Sequence, residues 1–150
     1  MKNIKIRTSV IDDMPAVHDL IRELAIYEKA EQEHTNTVEQ LKLDGFGPNK
    51  VFDCIVAEAE GKVVGFALYY TSYSTWKGQC LYLEDFLVTE KMRGNGIGKL
   101  LFDEIISIAK QRKVARFVWQ ILDWNEPALN FYRKYNADLD DGWVNGKLVF

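Results

Sequence analysis

The sequence contains few of the residues that build metal centres and disulfide frameworks. Among 150 residues it has two cysteines, Cys54 and Cys80, and two histidines, His18 and His34. Both cysteines lie in apolar stretches typical of strands, where a buried free thiol is the usual state. The histidines are too few and too far from the cysteines for a metal cluster, so we expect both to be solvated. The composition predicts a domain with no metal and no disulfide.

Long apolar runs and an excess of positive charge are also missing. No stretch approaches roughly 18 uninterrupted apolar residues, and the start MKNIKIRTS lacks the apolar core and cleavage site of a secretory signal. We therefore expect a soluble, cytoplasmic protein that does not bind a membrane. Acidic residues outnumber basic ones by 22 to 19, giving a net charge of −3. Because nucleic-acid binders usually carry a basic excess, a nucleic-acid partner is disfavoured.

The remaining composition is that of an ordinary globular protein, with 47% hydrophobic and 27% charged residues. The sequence contains no repeat, low-complexity tract or linker. At roughly one domain per 150 residues, the length predicts a single domain over residues 1–150.

The spacing of apolar residues predicts both helices and strands. Strict alternation indicates a half-buried strand, and recurrence every three or four residues indicates an amphipathic helix. In chain order we expect a strand at 4–8, a helix from about 13 to 28, and a helix that Thr37 caps and that the glycines at 45 and 47 end. Strands at 51–59, 62–74 and 79–88 follow, with a turn at Glu60 and Gly61 between the first two. The rest of the chain predicts a helix behind the glycines at 94–98, a strand at 114–122, a helix that Asn125 caps and that ends near Asn136, and a closing strand pair from about Gly142 to Phe150. Three successive strands joined by short turns imply an antiparallel meander. The predicted class is α+β, with a mixed, mostly antiparallel sheet flanked by helices.

A glycine-rich segment, RGNGIGK at 93–99, lies between a predicted strand and a predicted helix. Glycines let the chain turn tightly and point successive backbone N–H groups at one anion. The positive end of the following helix adds to this attraction, and Arg93 and Lys99 supply formal charge. The segment therefore predicts a phosphate site.

Two common phosphate motifs do not fit this segment. A P-loop needs four residues before its Gly-Lys and then Ser or Thr, whereas three residues separate Gly94 from Gly98 and leucine follows Lys99. A dinucleotide fingerprint would need glycine at position 99 within a βαβ unit. The spacing that fits is Arg-x-x-Gly-x-Gly, formed by Arg93, Gly96 and Gly98, which resembles the acyl-CoA pyrophosphate loop of the GCN5-related N-acetyltransferases (GNAT). A plain glycine turn before a helix remains the alternative.

Further segments extend this resemblance over nearly the whole chain. They look like the spermidine/spermine acetyltransferase branch, and YSTWKG and LDWN lean toward its thialysine acetyltransferase relatives. The segments are LIRELAIYE (20–28), DGFG (44–47), YSTWKG (73–78), LYLEDFLV (81–88), LDWNEPALNFY (122–132) and DGW (141–143). In the spermidine/spermine enzymes an acid follows the tyrosine that here precedes Ser74, so this departure favours a shorter or zwitterionic amine. The resemblance implies the GNAT fold, acetyl-CoA as cosubstrate and a homodimer.

Acetylation of an amine requires that the amine be deprotonated. An alkylammonium has a pKa of roughly 10.4, so a base is useful near neutrality. Glu84 is the candidate base, acting through water, and it can also hold the positive charge of the substrate. From the residues alone, a purely structural interpretation fits Glu84 and Asp85 equally well. In that interpretation one of the two acids faces solvent and the other is structural, at a sheet edge. The resemblance of LYLEDF to the family motif favours the catalytic role.

The leaving thiolate of CoA needs a proton, which a phenol with a pKa near 10 can supply. The resemblance places the family's catalytic tyrosine at Tyr132, whereas spacing alone also allows a buried core tyrosine. Because consecutive helix residues point about 100° apart, Phe131 and Tyr132 do not share one stripe of their helix.

The resemblance also implies the binding residues. Backbone groups of Phe86, Leu87 and Val88 would bind the acetyl and pantetheine part of acetyl-CoA. The pyrophosphate loop comprises Arg93, Gly94, Asn95, Gly96, Ile97, Gly98 and Lys99. The rest of the CoA channel comprises Val118, Trp119, Gln120, Asn125, Glu126, Pro127 and Ala128. Substrate contacts fall at Tyr27, Glu28, Glu84, Asp141, Gly142 and Trp143, where aromatic and acidic walls suit an aliphatic diamine. The bland alternatives are a frayed helix end for Tyr27 and Glu28 and a core position for Trp143.

The leading hypothesis is an acetyl-CoA-dependent N-acetyltransferase that acts on a primary amine of a small aminoalkyl substrate, thialysine-like or diamine/polyamine-like. Two alternatives stay open, namely acetylation of a protein or peptide amine and a non-catalytic acyl-CoA-binding module. The presence of both Glu84 and Tyr132 argues against the second alternative.

Overall fold

Five strands form one sheet in the computed structural model, which describes residues 3–150. In sequence and in space their order is β1 (Ile4–Thr8), β2 (Asp53–Ala59), β3 (Lys62–Ser74), β4 (Gly78–Val88) and β5 (Arg116–Trp119). Neighbours from β1 to β4 are antiparallel, and β4 and β5 are parallel. The predicted α+β class and mixed, mostly antiparallel sheet are confirmed.

The described residues form four α-helices: α1 (Met14–Tyr27), α2 (Val38–Phe46), α3 (Ile97–Gln111) and α4 (Glu126–Arg133). The predicted cap of α2 is present, since the Thr37 hydroxyl accepts a hydrogen bond of 3.1 Å from the backbone N–H of Gln40. The helix continues through Gly45 and ends one residue later. A Cβ on Gly45 would lie 2.5 Å from the ring of Phe52, so this glycine allows close packing inside the helix.

Helices contact both faces of the sheet. Val56 and Phe66 belong to a buried cluster that also contains Val17 of α1. Gly65 is the residue before Phe66 in β3, so its Cα hydrogen at the Cβ position lies on the opposite face of the sheet. A Cβ at Gly65 would lie 3.1 Å from Leu101 of α3. The helices thus flank the sheet on both sides, as the sequence predicts.

Two compact units are present, Met1–Gln120 with the sheet and α1 to α3, and Ile121–Phe150 with α4. The secondary structure near the end of the chain differs from the prediction. Strand β5 is shorter than expected, and residues 137–150 contain neither helix nor strand, so the predicted closing strand pair is wrong. Val144 is 98% exposed and Leu148 is 83% exposed. Because an isolated strand pair is stable only when one face is buried, alternating apolar residues did not suffice here.

The cysteines and histidines follow the prediction in part. Cys54 and Cys80 are buried free thiols, as expected. The His34 ring lies 4.6 Å from that of His18, and both ring nitrogens of His34 are buried without a hydrogen-bond partner. The expectation that His34 is solvated is therefore wrong. Within residues 3–150 no group of three or more His, Cys, Asp or Glu is placed to hold a metal ion, and no helix has the length and apolarity to span a bilayer.

Candidate active site

A β-bulge in β4 determines where its acidic residues lie. Across the β3–β4 pair, Tyr69 stands opposite Leu83 and Leu68 stands opposite Asp85. Glu84 is therefore the extra residue of β4, outside the regular ladder, and its side chain is exposed. The bulge thus interrupts the strict alternation of faces at the two consecutive acids of β4.

Two tyrosines lie beside Glu84. Tyr70 and Tyr82 are register partners on β3 and β4, and their rings stack with centroids 5.2 Å apart. The Tyr70 hydroxyl donates a hydrogen bond of 3.5 Å to Oε1 of Glu84. Burial, reinforced by the Glu84 carboxylate, raises the pKa of Tyr70 to about 12. Tyr70 thus stays protonated near neutrality and acts as a donor to Glu84.

Three carboxylates form an acidic cluster, defined here as Glu28, Glu84 and Asp85. Burial, followed by the charges of Glu84 and Glu28, raises the pKa of Asp85 to about 7. Burial also raises the pKa of Glu28. No ion pair within residues 3–150 includes any of the three. The cluster therefore has unbalanced negative charge, which a bound cation would relieve.

Strand β4 loses its second neighbour at this bulge. Its ladder with β5 runs from the pair Cys80–Arg116 to the pair Leu83–Trp119 and ends there. In the described part of the chain, residues 85–88 pair with β3 alone. This leaves an edge of backbone groups unpaired by any described strand. The predicted acyl-binding residues Phe86, Leu87 and Val88 lie on this stretch.

The predicted phosphate loop immediately precedes α3. Gly94 and Gly96 have φ angles of 81° and 77°, in the left-handed region that glycine adopts at little cost. A Cβ at either position would meet nothing within 4 Å, so a ligand can approach the backbone. The Asn95 side-chain amide donates to the Met92 carbonyl at 2.9 Å and fixes the turn. With the free N–H groups of the first turn of α3, at 97–99, the loop fits a pyrophosphate.

The basic side chains of the loop contact other residues of the protein. Arg93 Nε donates to the Val88 carbonyl at 3.0 Å, and its guanidinium lies 5.4 Å from the centre of the Tyr27 ring. Lys99 forms an ion pair with Asp103, one turn further along α3. Both basic side chains of the loop are thus engaged by other groups of the protein, and the backbone N–H groups are its remaining polar donors.

Two aromatic residues among the predicted cosubstrate-binding positions of the first unit pack against α3. Trp119 of β5 meets Phe102 of α3 edge-on at 5.3 Å, and Phe86 lies 5.8 Å from the same Phe102 ring. Val118 belongs to β5, and Gln120 is the first residue after this strand. These contacts hold α3 against the sheet where β4 and β5 separate.

Ser74 closes the hairpin between β3 and β4. Its hydroxyl accepts hydrogen bonds from the backbone N–H groups of Trp76 and Lys77, at 3.2 and 3.1 Å. The serine therefore has a turn function of its own. No carboxylate is present at this position.

The predicted residues of the second unit include the start of α4. The Asn125 side chain accepts a hydrogen bond of 3.3 Å from the N–H of Ala128, and Pro127 occupies the first turn. Glu126 pairs with Arg133 at 3.4 Å. This is the helix cap that the sequence predicts.

Tyr132 of α4 is buried, with 7% of its surface exposed. Its ring meets that of Phe131 edge-on at 5.3 Å, and Phe131 is only half-buried. Burial raises the pKa of Tyr132, so the phenol keeps its proton near neutrality. The protonated phenol can donate, and the raised pKa makes that donation less favourable.

The other predicted residues of the second unit lie in the segment without regular structure. The Gly142 N–H donates a hydrogen bond of 2.9 Å to the Asp140 side chain. Asp141 is exposed, and Trp143 is 80% exposed. The alternative in which Trp143 is a core residue is therefore wrong.

Sequence reasoning did not assign Tyr70 or Tyr82 to the site. Alternation along LYLED places Tyr82 and Glu84 two residues apart, which in a regular strand is one face. That signal was available for Tyr82. The position of Tyr70 depends on its register with β4, which the sequence does not specify by itself.

Comparison with known proteins places these features in a family. The model of the acetyltransferase (GNAT) family matches residues 14–137. A thialysine N-epsilon-acetyltransferase of Mus musculus is 38% identical over 156 residues, covering 97% of this chain and 92% of that protein. The Caenorhabditis elegans protein of the same name is 32% identical, covering 99% of this chain and 93% of its own length. An L-ornithine N5-acetyltransferase of Arabidopsis thaliana is 33% identical over 71% of this chain and 44% of its own length.

Solved structures share the fold at lower identity. A possible acetyltransferase from Clostridium difficile superposes with a TM-score of 0.79 at 22% identity, covering 98% of this chain and 99% of that one. An aminoglycoside acetyltransferase from a soil metagenome superposes with a TM-score of 0.78 at 21% identity, covering 98% of this chain and 96% of that one. These similarities support the fold, and the family match and the curated relatives support the chemistry. The chain belongs to the GNAT family and is an acetyl-CoA-dependent N-acetyltransferase.

Proposed function

We propose that this enzyme acetylates a primary amine of a small aminoalkyl substrate that carries a second charged group, as thialysine and short diamines do. The observation that carries the proposal is the unpaired acidic cluster of Glu28, Glu84 and Asp85 beside the stacked rings of Tyr70 and Tyr82. Carboxylates attract an alkylammonium, and aromatic faces bind both its charge and its methylene stem.

One further observation supports an amino-acid-like amine over a long polyamine. Relatives named for thialysine and L-ornithine acetylation align with this chain, but so does a spermidine/spermine N(1)-acetyltransferase-like protein of Homo sapiens at 37% identity, so the discriminating feature is a single residue. Ser74 stands where the spermidine/spermine branch has an acid, and its hydroxyl serves the hairpin turn. The site therefore offers one carboxylate fewer to a distant second ammonium group.

In the proposed reaction, Glu84 accepts the ammonium proton through water and the neutral amine nitrogen attacks the thioester carbonyl. The new N–C bond forms, the C–S bond breaks, and Tyr132 gives its proton to the departing thiolate. The second proton that the nitrogen loses on becoming an amide passes to solvent, and Tyr132 regains its proton from solvent. Glu84 is exposed to water on its bulge and held by the Tyr70 hydroxyl. Both features suit a base that works through a water molecule.

Binding of the cosubstrate is proposed for the glycine loop and the unpaired stretch of β4. Gly94 and Gly96 leave the backbone open to a pyrophosphate, and residues 86–88 offer backbone groups to the acetyl and pantetheine part. We further propose the remaining predicted positions, 118–120 and 125–128, for the rest of CoA. Tyr27, Glu28 and 141–143 are proposed for the amine.

A panel of amines tests this function with a thiol-release assay. Thialysine, lysine, spermidine, a neutral-tailed monoamine and a peptide with a free N-terminus are compared at pH 7 and pH 9. We expect the highest kcat/KM for thialysine or lysine at pH 7. Preference for the neutral-tailed monoamine or the peptide would contradict the proposal.

We also propose that residues 1–150 act as one catalytic domain and that the enzyme is a homodimer. Light scattering at micromolar concentration checks the second point. A mass near the 17.3 kDa of one chain would contradict it.

A further inference from the structure

A carboxylate outside the acidic cluster holds the segment that leads into the glycine loop. Glu23 of α1 accepts hydrogen bonds from the Thr89 hydroxyl, at 2.9 Å to Oε2 and 3.2 Å to Oε1. Its Oε1 also accepts the backbone N–H of Glu90 at 2.9 Å. One side chain thus binds two consecutive residues that lie 66 and 67 positions away in sequence.

These bonds act on the stretch of chain between a strand and a helix. Strand β4 ends at Val88 and α3 begins at Ile97. Between them the chain makes only one short turn, Glu90–Met92. The N–H of Glu90 lies at the start of this turn, where the turn itself supplies no acceptor. A carboxylate at such a position makes charge-assisted hydrogen bonds, which are stronger than neutral ones.

The same face of α1 contacts the other end of the segment. Tyr27 lies four residues after Glu23 and therefore one helical turn away on the same side. The Arg93 guanidinium stacks over the Tyr27 ring at 5.4 Å. Glu23 and Tyr27 therefore contact the two ends of residues 89–93, the segment immediately before Gly94.

We propose that Glu23 is a positioning residue for acetyl-CoA, because its carboxylate fixes residues 89–93 and thereby the direction in which the glycine-loop N–H groups point. This inference rests on the proposed cosubstrate role of the glycine loop. Glu23 itself contacts no reacting atom in the proposal. Its loss should weaken cosubstrate binding and leave the amine side and the chemical step nearly unchanged.

Matched variants separate positioning from general stability. Glu23→Gln removes the charge at constant size, Thr89→Val removes the hydroxyl at constant shape, and Thr89→Ser retains the hydroxyl. Glu39→Gln at an exposed position of α2 is the control for loss of a surface charge. The measurements are the KM for acetyl-CoA, the Kd for CoA by calorimetry, the amine KM, kcat and Tm.

We expect Glu23→Gln to raise the acetyl-CoA KM and the CoA Kd about tenfold, the size associated with a lost charge-assisted hydrogen bond. Thr89→Val should raise both constants about threefold to tenfold, and Thr89→Ser should resemble the wild type. The double variant Glu23→Gln/Thr89→Val should be little worse than Glu23→Gln alone, because the hydroxyl bonds that Thr89→Val removes are among those that Glu23→Gln already weakens. The amine KM and kcat should stay within about twofold.

Unchanged CoA affinity in Glu23→Gln and Thr89→Val, with or without a lower Tm, would overturn the inference. If Glu23→Gln fails to fold, the Thr89→Val and Thr89→Ser pair decides the question alone. Failure of the proposed function is a different result, namely a wild-type protein that binds no CoA or acetylates none of the amines.

Discussion

The Tyr70 hydroxyl donates a hydrogen bond of 3.5 Å to Glu84 Oε1 across the β3–β4 pair. Glu84 is the residue that the bulge removes from the ladder, so its carboxylate reaches solvent while a neighbouring strand restrains it. Residues on rigid strands hold a reacting group more narrowly than residues on loops do. This relationship gives a physical reason to assign the base to Glu84.

Substitution of Glu84 tests the base. Glu84→Gln keeps the volume and loses the proton acceptor, so kcat/KM for the amine should fall most at pH 7. It should recover in part toward pH 9, because rising pH deprotonates the amine in solution. Tyr70→Phe, which keeps the carboxylate, should cost only about twofold to fivefold, as expected for one weak hydrogen bond. Equal losses at pH 7 and pH 9 for Glu84→Gln would exclude the base role.

Substitution of Tyr132 tests the acid. Tyr132→Phe removes the hydroxyl of a buried ring, so kcat should fall roughly 10- to 100-fold, at or just below the usual span of general-acid effects. The amine KM should change little. Steady-state kinetics with a thiol-release readout gives both constants, and circular dichroism checks that the fold is kept. A variant with full kcat would remove Tyr132 from the chemistry.

The glycine loop has a natural control elsewhere in the chain. Gly96 and Gly61 both have a φ of 77°, and a Cβ would meet nothing within 4 Å at either site. Aspartate at each position therefore carries the same backbone strain. Gly96→Asp should raise the acetyl-CoA KM strongly by blocking and repelling phosphate, whereas Gly61→Asp should leave it unchanged. Similar KM values in the two variants would show that the loop does not bind the cosubstrate.

Local patterns account for the parts of the fold that the sequence predicted well. The turn at Glu60 and Gly61 needs positive φ at both residues, and the structure has 51° and 77° there. The Thr37 and Asn125 caps are set by residues three positions apart. Each of these features depends on neighbours in sequence, so it is readable before the fold is known.

Features that depend on distant partners were not predictable in this way. The bulge at Glu84 arises from the register of β4 against β3. The bonds of Glu23 join α1 to a segment 66 residues later, and no local spacing indicates them. The prediction of a closing strand pair was wrong for the same reason. Alternating apolar residues after Gly142 form a strand only where another strand is available to pair with them.

The half-buried Asp85 connects stability with the proposed amine binding. Its pKa is raised to about 7 by burial, Glu84 and Glu28, so between about pH 4 and pH 7 the unfolded chain binds fewer protons here than the folded one. Stability contributed by the protonated residue is therefore lost as pH rises through this window. Asp85→Asn should raise Tm by several degrees at pH 8 and by little at pH 5, and it should raise the amine KM more at pH 8 than at pH 6. Differential scanning fluorimetry and kinetics measure both effects, with the exposed Asp19→Asn as control. If the Tm difference between Asp85→Asn and the wild type is independent of pH, Asp85 ionises normally. The acidic cluster then has no unbalanced charge that could favour binding of the amine.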